Sequence, residues 1–254
     1  MTGEVVLLTI DTDLARIAAR DLAGRFPDLV VIVEQRVGRL ALLRSRMRRF
    51  GLAHLIGQMG FMLVYRVQRR MARRRIAEIA QQHRFDPRWP ADRNPVRVAS
   101  VNGADCIARL QQLKPRVVLV VGTRIISRKL LAAVDSPFIN YHAGITPQYR
   151  GIHGGYWARA VGDDANFGVT VHLVDPGIDT GAVLYQARLA ADARDNYSTY
   201  PYAQMAAALP LLQRAAGDAL AGALVVQPTD APSRLWSHPT LWDYVRTGLR
   251  RGVW

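Results

Sequence analysis

The first 34 residues constrain the fold more than any other part of the chain. Residues 5–10 form a short apolar run rich in β-branched side chains, and the polar residues 11–13 that follow are typical of a turn and a helix N-cap. A helix to about Phe26 and a second strand over residues 28–34 complete a strand–helix–strand unit. This unit predicts an α/β, Rossmann-like fold with a mostly parallel sheet flanked by helices.

The rest of the chain continues this alternation of strands and helices. Further strands are predicted over residues 96–101, 116–121, 138–142, 168–174 and 183–187. Further helices are predicted over residues 103–113, 127–134, 153–161 and 203–223. The run RVVLVV at 116–121 lacks polar alternation, which is typical of a buried parallel strand.

Composition narrows the class of protein. The chain has 254 residues, half of them hydrophobic, so we expect one domain over residues 1–225 and a C-terminal tail over 226–254. The single cysteine, Cys106, excludes a disulfide framework and a cysteine-based zinc site, and it fits a reducing cytoplasm. The N-terminus lacks the basic start and apolar core of a signal peptide, so no export is expected.

The net charge of +14 is unevenly spread, with clustered arginines in an insertion at about residues 37–88. We expect this insertion to be helical, with Gly51, Gly57 and Gly60 breaking the run. Its apolar part is too short and too polar to span a membrane, which needs about 20 apolar residues. Three interpretations stay open: a helical insert packed on the core, a lid that binds substrate or partner, and an interfacial helix on an anionic membrane.

The tail predicts one more helix. Apolar residues recur at helical spacing, and three of the five tryptophans lie in this part of the chain. The residues with this spacing are Leu241, Tyr244, Val245 and Leu249. We expect the helix to cover the core or a homodimer partner; the alternative is interfacial anchoring, because Trp and Arg favour that zone of a membrane.

Residues 138–184 carry most of the chemistry in this sequence. The first strand of this stretch ends in Asn140, Tyr141 and His142. Residues two apart on a strand share a face, so Asn140 and His142 present an amide and an imidazole side by side. The strand over 168–174 runs into a turn-rich loop, which can bring the carboxylate of Asp179 to face the pair.

The absence of a serine or cysteine beside these three residues argues against a nucleophilic triad. An amide, an imidazole and a carboxylate suit instead a reaction in which an amine attacks a carbonyl. The amide and a protonated imidazole donate hydrogen bonds to the developing oxyanion, while the carboxylate holds the charge of the imidazole and helps to move protons. The pattern therefore indicates acyl transfer.

Four motifs, taken in order, resemble the catalytic core of the folate-dependent formyltransferases. They are Asn-x-His at 140–142, Pro-x-Tyr-Arg-Gly at 147–151, Gly-Val-Thr at 168–170 and Val-Asp-x-Gly-Ile-Asp-Thr-Gly at 174–181. This superfamily includes glycinamide ribonucleotide transformylase, methionyl-tRNA formyltransferase and the sugar N-formyltransferases. The resemblance is strong over roughly residues 96–190.

The resemblance implies roles for individual residues. Asn140, His142 and Asp179 are the expected catalytic residues, and N10-formyltetrahydrofolate is the expected co-substrate. The residues expected to contact the folate are Gly122, Thr123, Arg124, Ile125, Val174, Asp175 and Gly177. For Arg124, a plain surface position is the alternative. The amine chemistry needs no metal, so none is expected.

Three further residues are candidates for binding the acceptor. Arg150 either binds an anionic group of the substrate or caps its loop. His153 opens a predicted helix on the substrate side. His172 lies where the glycinamide branch of the resembling family also has a histidine, and it is either part of the site or a core residue.

The expected function is that of a cytoplasmic N-formyltransferase for a small, anionic amine, with membrane association left open. The loop TIDTD stands where glycinamide ribonucleotide transformylases have a glycine-rich turn, and 254 residues leave no room for the tRNA-binding domain of methionyl-tRNA formyltransferases. An amino sugar on a nucleotide is therefore the expected acceptor, and nucleic acid is not an expected partner. The rivals are activity on glycinamide ribonucleotide or methionyl-tRNA, a formyltetrahydrofolate hydrolase, and a non-catalytic module that binds anions or membranes.

Overall fold

The structure is a computed structural model and describes residues 4–36, 38, 47–48 and 51–254. The strands are β1 Val5–Ile10, β2 Val30–Glu34, β3 Val96–Val98, β4 Val117–Val121, β5 Phe138–His142, β6 Arg150–Gly151, β7 Gly168–Leu173, β8 Val183–Arg188 and β9 Leu235–Trp236. The helices are α1 Asp13–Arg25, α2 Leu52–Met71, α3 Arg73–Gln82, α4 Ala104–Leu113, α5 Arg128–Ala133, α6 Gly154–Val161, α7 Tyr200–Ala221 and α8 Leu241–Arg251.

Seven strands form one sheet in the order β3-β2-β1-β4-β5-β7-β8. The pairs from β3 to β5 are parallel, and β7 and β8 are antiparallel to their neighbours. The two short strands β6 and β9 pair with each other in a separate sheet. The expected α/β fold with a mostly parallel sheet flanked by helices is confirmed.

Helices cover the sheet on both faces, which explains why its central strands are apolar without alternation. On one face Leu7 and Leu119 are buried together with residues of α1 and α7. On the other face Leu8 and Val118 are buried together with residues of α4 and α5. The odd and even residues of β1 and β4 therefore enter two separate core clusters, one on each side of the sheet.

The described part of the Arg-rich insertion consists mainly of α2 and α3; residues 37, 39–46 and 49–50 lie outside the described residues. Gly51, with φ 81°, precedes α2 as expected, but the prediction that Gly57 and Gly60 break the helix was wrong. A Cβ at Gly57 would lie 2.9 Å from Thr240 Cβ, and one at Gly60 would lie 3.2 Å from Leu241 Cδ2. The two glycines are tolerated inside α2 because they let the start of α8 approach closely.

An aromatic cluster anchors α2 on the core. Phe61 is 1% exposed, and its ring centroid lies 4.9 Å from that of Tyr197 and 5.0 Å from that of Tyr244 on α8. The insertion and the tail therefore pack on the same aromatic cluster, and the division of the chain near residue 225 stays a prediction. Within the described residues, no helix is both long enough and apolar enough to cross a membrane.

Candidate active site

Asn140 and His142 lie where the parallel part of the sheet meets its antiparallel part. They are on β5, which pairs with β4 on one side and with β7 on the other. The antiparallel register sets His172 opposite Asn140 and Thr170 opposite His142. Asn140 and His172 are thereby brought together, with Asn140 Nδ2 at 3.1 Å from His172 Nε2.

The loop after β7 brings Asp179 to the same place. Asp179 Oδ1 accepts a hydrogen bond from Asn140 Nδ2 at 3.3 Å, and Oδ2 accepts one from the Gly151 N–H at 2.9 Å. His142 Nδ1 lies 3.3 Å from Asp179 Oδ2. Asp179 has a left-handed backbone with φ 49°, which is uncommon for a non-glycine residue and is favoured here by these contacts.

His142 is 6% exposed, and both of its ring nitrogens face oxygen atoms. Nε2 lies 2.6 Å from the carbonyl oxygen of Tyr149, which can only accept, so this nitrogen carries a hydrogen. Burial lowers the pKa of His142 below its usual 6.5, although the nearby Asp179 carboxylate acts in the opposite direction. Burial therefore favours the neutral ring at pH 7 over the protonated imidazole expected from the sequence, and Nδ1 can take up a proton next to a carboxylate.

Asp179 is ionised in this environment. Its burial alone would raise its pKa, but the side chains of His172 and His142 and the Gly151 N–H together lower the pKa of Asp179 to about 2. A carboxylate that stays charged at neutral pH can stabilise a proton on His142 without itself taking it up.

His172 completes the cluster from β7. Its Nδ1 donates to the carbonyl oxygen of Leu173 at 2.7 Å, and its Nε2 lies 3.4 Å from Asp179 Oδ1. The side chain is 3% exposed, so it is buried and contacts the polar cluster at the same time. Within the described residues, no group of three or more His, Cys, Asp and Glu side chains has the arrangement of a metal site.

Sequence reasoning missed the loop that closes around His142. A Cβ at Gly144 would lie 2.8 Å from His142 Nε2, and one at Gly154 would lie 2.7 Å from Gly144 Cα. Thr170 Oγ1 holds the loop in place by accepting from Thr146 N at 3.0 Å and donating to the Gly144 carbonyl at 2.8 Å. The available signal was the glycine at position 144 and the Gly-Gly pair at 154–155.

Arg150 lies at the edge of the cluster and supports the loop of Asp179. Its Nη1 donates to the carbonyl oxygen of Ile178 at 3.1 Å. Arg150 and Gly151 form β6, which pairs with β9, Leu235–Trp236, from the tail. Arg150 therefore stabilises the loop that carries Asp179. A role of Arg150 in acceptor binding stays a prediction.

His153 is the N-cap residue of α6 and has φ 59°. Its Nε2 lies 3.0 Å from Nδ1 of His238, which follows β9 in the tail. The sequence indicated His153 but not His238, because β9 has only two residues and leaves no periodic pattern to detect.

The first predicted folate-contacting segment, residues 122–125, follows β4 and begins with Gly122 at φ 74°. The side-chain Nε of Arg124 lies 2.5 Å from Glu34 Oε2, and the backbone N–H of Arg124 donates to Glu34 Oε1 at 2.6 Å. The Glu34 side chain is 1% exposed, and a buried carboxylate requires such a partner. Arg124 is therefore held in an ion pair with Glu34. The next residue, Ile125, is 58% exposed.

The second predicted segment, residues 174–177, connects β7 to Asp179. The Val174 N–H donates to the Phe138 carbonyl at 2.8 Å. Asp175 Oδ1 accepts from the Gly177 N–H at 3.0 Å and from Thr180 Oγ1 at 2.7 Å, which gives the loop a defined turn. Folate binding by either segment stays a prediction.

Comparisons with known proteins agree with this fold. The model of the formyl transferase family matches residues 67–209, which is more than half of the chain. Methionyl-tRNA formyltransferase of Thermodesulfovibrio yellowstonii is 34% identical over 94 residues, covering 37% of this chain and 30% of the relative. The matched part thus spans about a third of the length of that curated relative.

Two solved structures have the same fold at low sequence identity. A 4-N formyltransferase from Francisella tularensis has a TM-score of 0.57 and 14% identity, covering 97% of this chain and 80% of that one. An N-formyltransferase from Helicobacter canadensis, in complex with folinic acid and dTDP-3-aminofucose, has a TM-score of 0.55 and 13% identity, covering 92% of this chain and 70% of that one.

The mostly parallel sheet, with a polar cluster where its parallel and antiparallel parts meet, defines an α/β protein of the formyltransferase type. The extent of the family match assigns this chain more narrowly: it belongs to the formyl transferase family. The resemblance seen in the four sequence motifs is thereby confirmed.

Proposed function

We propose that this protein transfers a formyl group from N10-formyltetrahydrofolate to a primary amine. The convergence of Asn140, His142 and Asp179 supports this more than any other observation. The polar neighbours of these side chains include His172, the Tyr149 carbonyl and the Gly151 N–H, and none of these is a serine hydroxyl or a cysteine thiol. The attacking atom would therefore belong to the acceptor.

The proposed reaction is balanced without a redox partner. The amine nitrogen attacks the formyl carbon, the new C–N bond forms, and the bond between that carbon and N10 breaks. The amine loses one proton and N10 gains one. Asn140 Nδ2 would exchange its hydrogen bond to His172 Nε2 for one to the negative charge that develops on the formyl oxygen.

His142 is the proposed carrier of this proton. The neutral ring can accept it from the attacking amine at Nδ1, where the ionised Asp179 lies 3.3 Å away and stabilises the imidazolium. The same ring can then return the proton to the leaving nitrogen. In this role Asp179 acts as a fixed charge, because its pKa of about 2 keeps it ionised throughout.

We infer that residues 122–125 and 174–177 hold the folate. The first segment leaves the parallel strand β4 beside the carboxyl end of β5. The second leaves the antiparallel strand β7 beside Phe138 and leads to Asp179, which contacts Asn140. The Arg124–Glu34 ion pair and the Asp175 turn would keep both segments in a fixed shape.

For the acceptor, we propose an amino sugar linked to a nucleotide. In the first loop Asp11 forms ion pairs with Arg16 at 2.7 Å and with Arg97 at 3.2 Å, so this loop offers a carboxylate instead of a glycine-rich cradle for phosphate. A protein of the same fold was crystallised with a dTDP-linked amino sugar. Arg150, at the edge of the cluster, is the proposed contact for an anionic group of the acceptor.

The direct test is formyl transfer from N10-formyltetrahydrofolate to a panel of nucleotide-linked amino sugars, with glycinamide ribonucleotide and methionyl-tRNA included. We expect turnover with at least one amino sugar. Asp179→Asn should lower kcat by about 100-fold or more, because proton transfer through His142 loses its fixed charge. Asp92→Asn is the matched control outside the site, and it should keep kcat within a few-fold because Asp92 is 73% exposed and forms an ion pair with Arg93.

The other outcomes identify the rivals. Formate release that does not depend on any amine would assign a hydrolase in place of a transferase. Turnover only with methionyl-tRNA or glycinamide ribonucleotide would overturn the amino-sugar acceptor but keep formyl transfer. Equal kcat for the wild type and Asp179→Asn would overturn the proposed role of the cluster.

A further inference from the structure

The outward face of α2 is apolar although it is exposed. Leu52, Ile56, Met59 and Leu63 follow one another at helical spacing and are 63, 54, 53 and 62% exposed. The opposite side of the helix carries the buried Phe61 and packs on the core. This helix therefore has one apolar stripe that faces the core and another that has no partner among the described residues.

The helix α8 lies beside α2 and adds exposed apolar residues to this surface. Trp242 and Leu249 are 60 and 76% exposed. Trp242 Nε1 would lie 2.9 Å from a Cβ at Gly57, so its indole ring lies directly beside α2 and joins the two helices. We call the combined surface the apolar face; its members are Leu52, Ile56, Met59, Leu63, Trp242 and Leu249.

Arginines continue the same surface. Arg66 and Arg70 lie on α2 three and seven positions after Leu63, which places them on the same side of the helix, and both are exposed. Residues 35–77 contain twelve arginines and no lysine, aspartate or glutamate, so this stretch supplies +12 of the net charge of +14. A helix that has an apolar stripe and clustered arginines has the composition typical of a helix that lies on the surface of an anionic membrane.

We propose that the apolar face, with Arg66 and Arg70, binds the surface of an anionic lipid bilayer. The side chains of Leu63 and Trp242 would enter the interfacial zone, and the two arginines would contact lipid phosphates. This interaction is independent of the proposed transfer reaction and is measured without any substrate.

Two other partners fit the same surface less well. A second copy of the chain, joined by a two-fold axis, would place this face against itself, so that one basic surface meets another with no acidic residue in 35–77 to neutralise the charge. A nucleic acid would use the arginines but would leave Leu52, Ile56, Met59 and Leu63 without a favourable environment. A lipid surface uses both the charge and the apolar side chains.

The test is sedimentation of the purified full chain with vesicles of phosphatidylglycerol and phosphatidylcholine, compared with vesicles of phosphatidylcholine alone. We expect binding to the anionic vesicles that weakens as salt is added, because screening reduces the attraction of the arginines. The variants Leu63→Gln and Arg66→Gln/Arg70→Gln should each weaken this binding by about tenfold or more. Circular dichroism checks that each variant is folded.

Matched controls come from outside this surface. Val225, on the chain after α7, is 62% exposed, and Arg109 is an exposed arginine on α4. Val225→Gln and Arg109→Gln should bind the anionic vesicles within about twofold of the wild type, since the loss of one distant charge or apolar side chain changes little.

Three results would overturn the proposal. The first is equal binding to anionic and neutral vesicles, or no binding to either. The second is a dimer in solution that Leu63→Gln converts to a monomer, which would assign the face to a second copy. The third is binding of RNA that withstands Leu63→Gln, together with no affinity for lipid.

Discussion

At the scale of single residues, Asp179 connects most of the candidate site. Its two carboxylate oxygens contact Asn140, His142, His172 and the backbone of Gly151, so three strands, β5, β6 and β7, meet at one side chain. Its left-handed backbone costs on the order of 1 kcal/mol, which these contacts offset. A change at this residue therefore affects both the chemistry and the local stability.

Acid should expose the contribution of Asp179 to stability. Its pKa is 3.8 in an ordinary environment and about 2 in the folded protein, so the native contacts stabilise the charged form. This contribution, roughly 2 kcal/mol, is fully present above pH 3.8 and is lost as the pH falls toward about 2. We expect the free energy of unfolding, measured in urea, to fall less steeply over this pH range in Asp179→Asn than in the wild type. Equal slopes would show that the carboxylate is not stabilised by the fold.

At the scale of elements, the contact between α2 and α8 attaches the insertion to the tail. Its closeness depends on Gly57, which faces Thr240 and Trp242. The capping box at the start of α8, formed by Thr240 and Asp243, holds the tail helix in the position that this contact requires. A side chain at position 57 would push α2 and α8 apart and so change how both helices pack on the aromatic cluster of Phe61, Tyr197 and Tyr244.

Two glycine-to-alanine substitutions should have opposite effects. In a helix, Gly→Ala stabilises the fold by up to about 1 kcal/mol where the new methyl group has room. A Cβ at Gly217 on α7 would meet no atom within 4 Å, so Gly217→Ala should stabilise the fold. Gly57→Ala should instead destabilise by about 1–3 kcal/mol, because its Cβ would lie 2.9 Å from Thr240 Cβ. Urea unfolding of both variants measures the difference. Stabilisation by Gly57→Ala would show that the two helices are not in close contact.

At the scale of the whole molecule, the sheet and the tail cooperate around the candidate site. β5 and β7 carry Asn140, His142 and His172, whereas β9 from the tail pairs with β6 next to Asp179. The indole of Trp236 donates to the Gln148 carbonyl at 3.0 Å and stacks on Trp157 at 4.7 Å, which fastens the tail beside the loop of the site. The site is therefore assembled from elements far apart along the chain.

Binding of the co-substrate should stabilise the whole fold. A folate analogue that lacks a transferable formyl group, added at about 100 times its Kd, would stabilise the native state by about 2.7 kcal/mol. For a chain of this length we expect Tm to rise by roughly 5–10 °C. The variant Leu63→Gln, on the apolar face, should show the same rise. No rise at saturating analogue would contradict the proposed folate site.

The sequence alone predicted the α/β class, the mostly parallel sheet and the family, because apolar strand runs and fixed motif spacings are local features that survive without coordinates. It also predicted that Asn140 and His142 share a face, since the strand period determines this. Only the tertiary structure decided that Asp179 has a left-handed backbone and also contacts His172, that Gly57 lies inside a helix, and that Arg124 is held by Glu34. Each of these depends on contacts between residues distant in the chain, which no local pattern encodes.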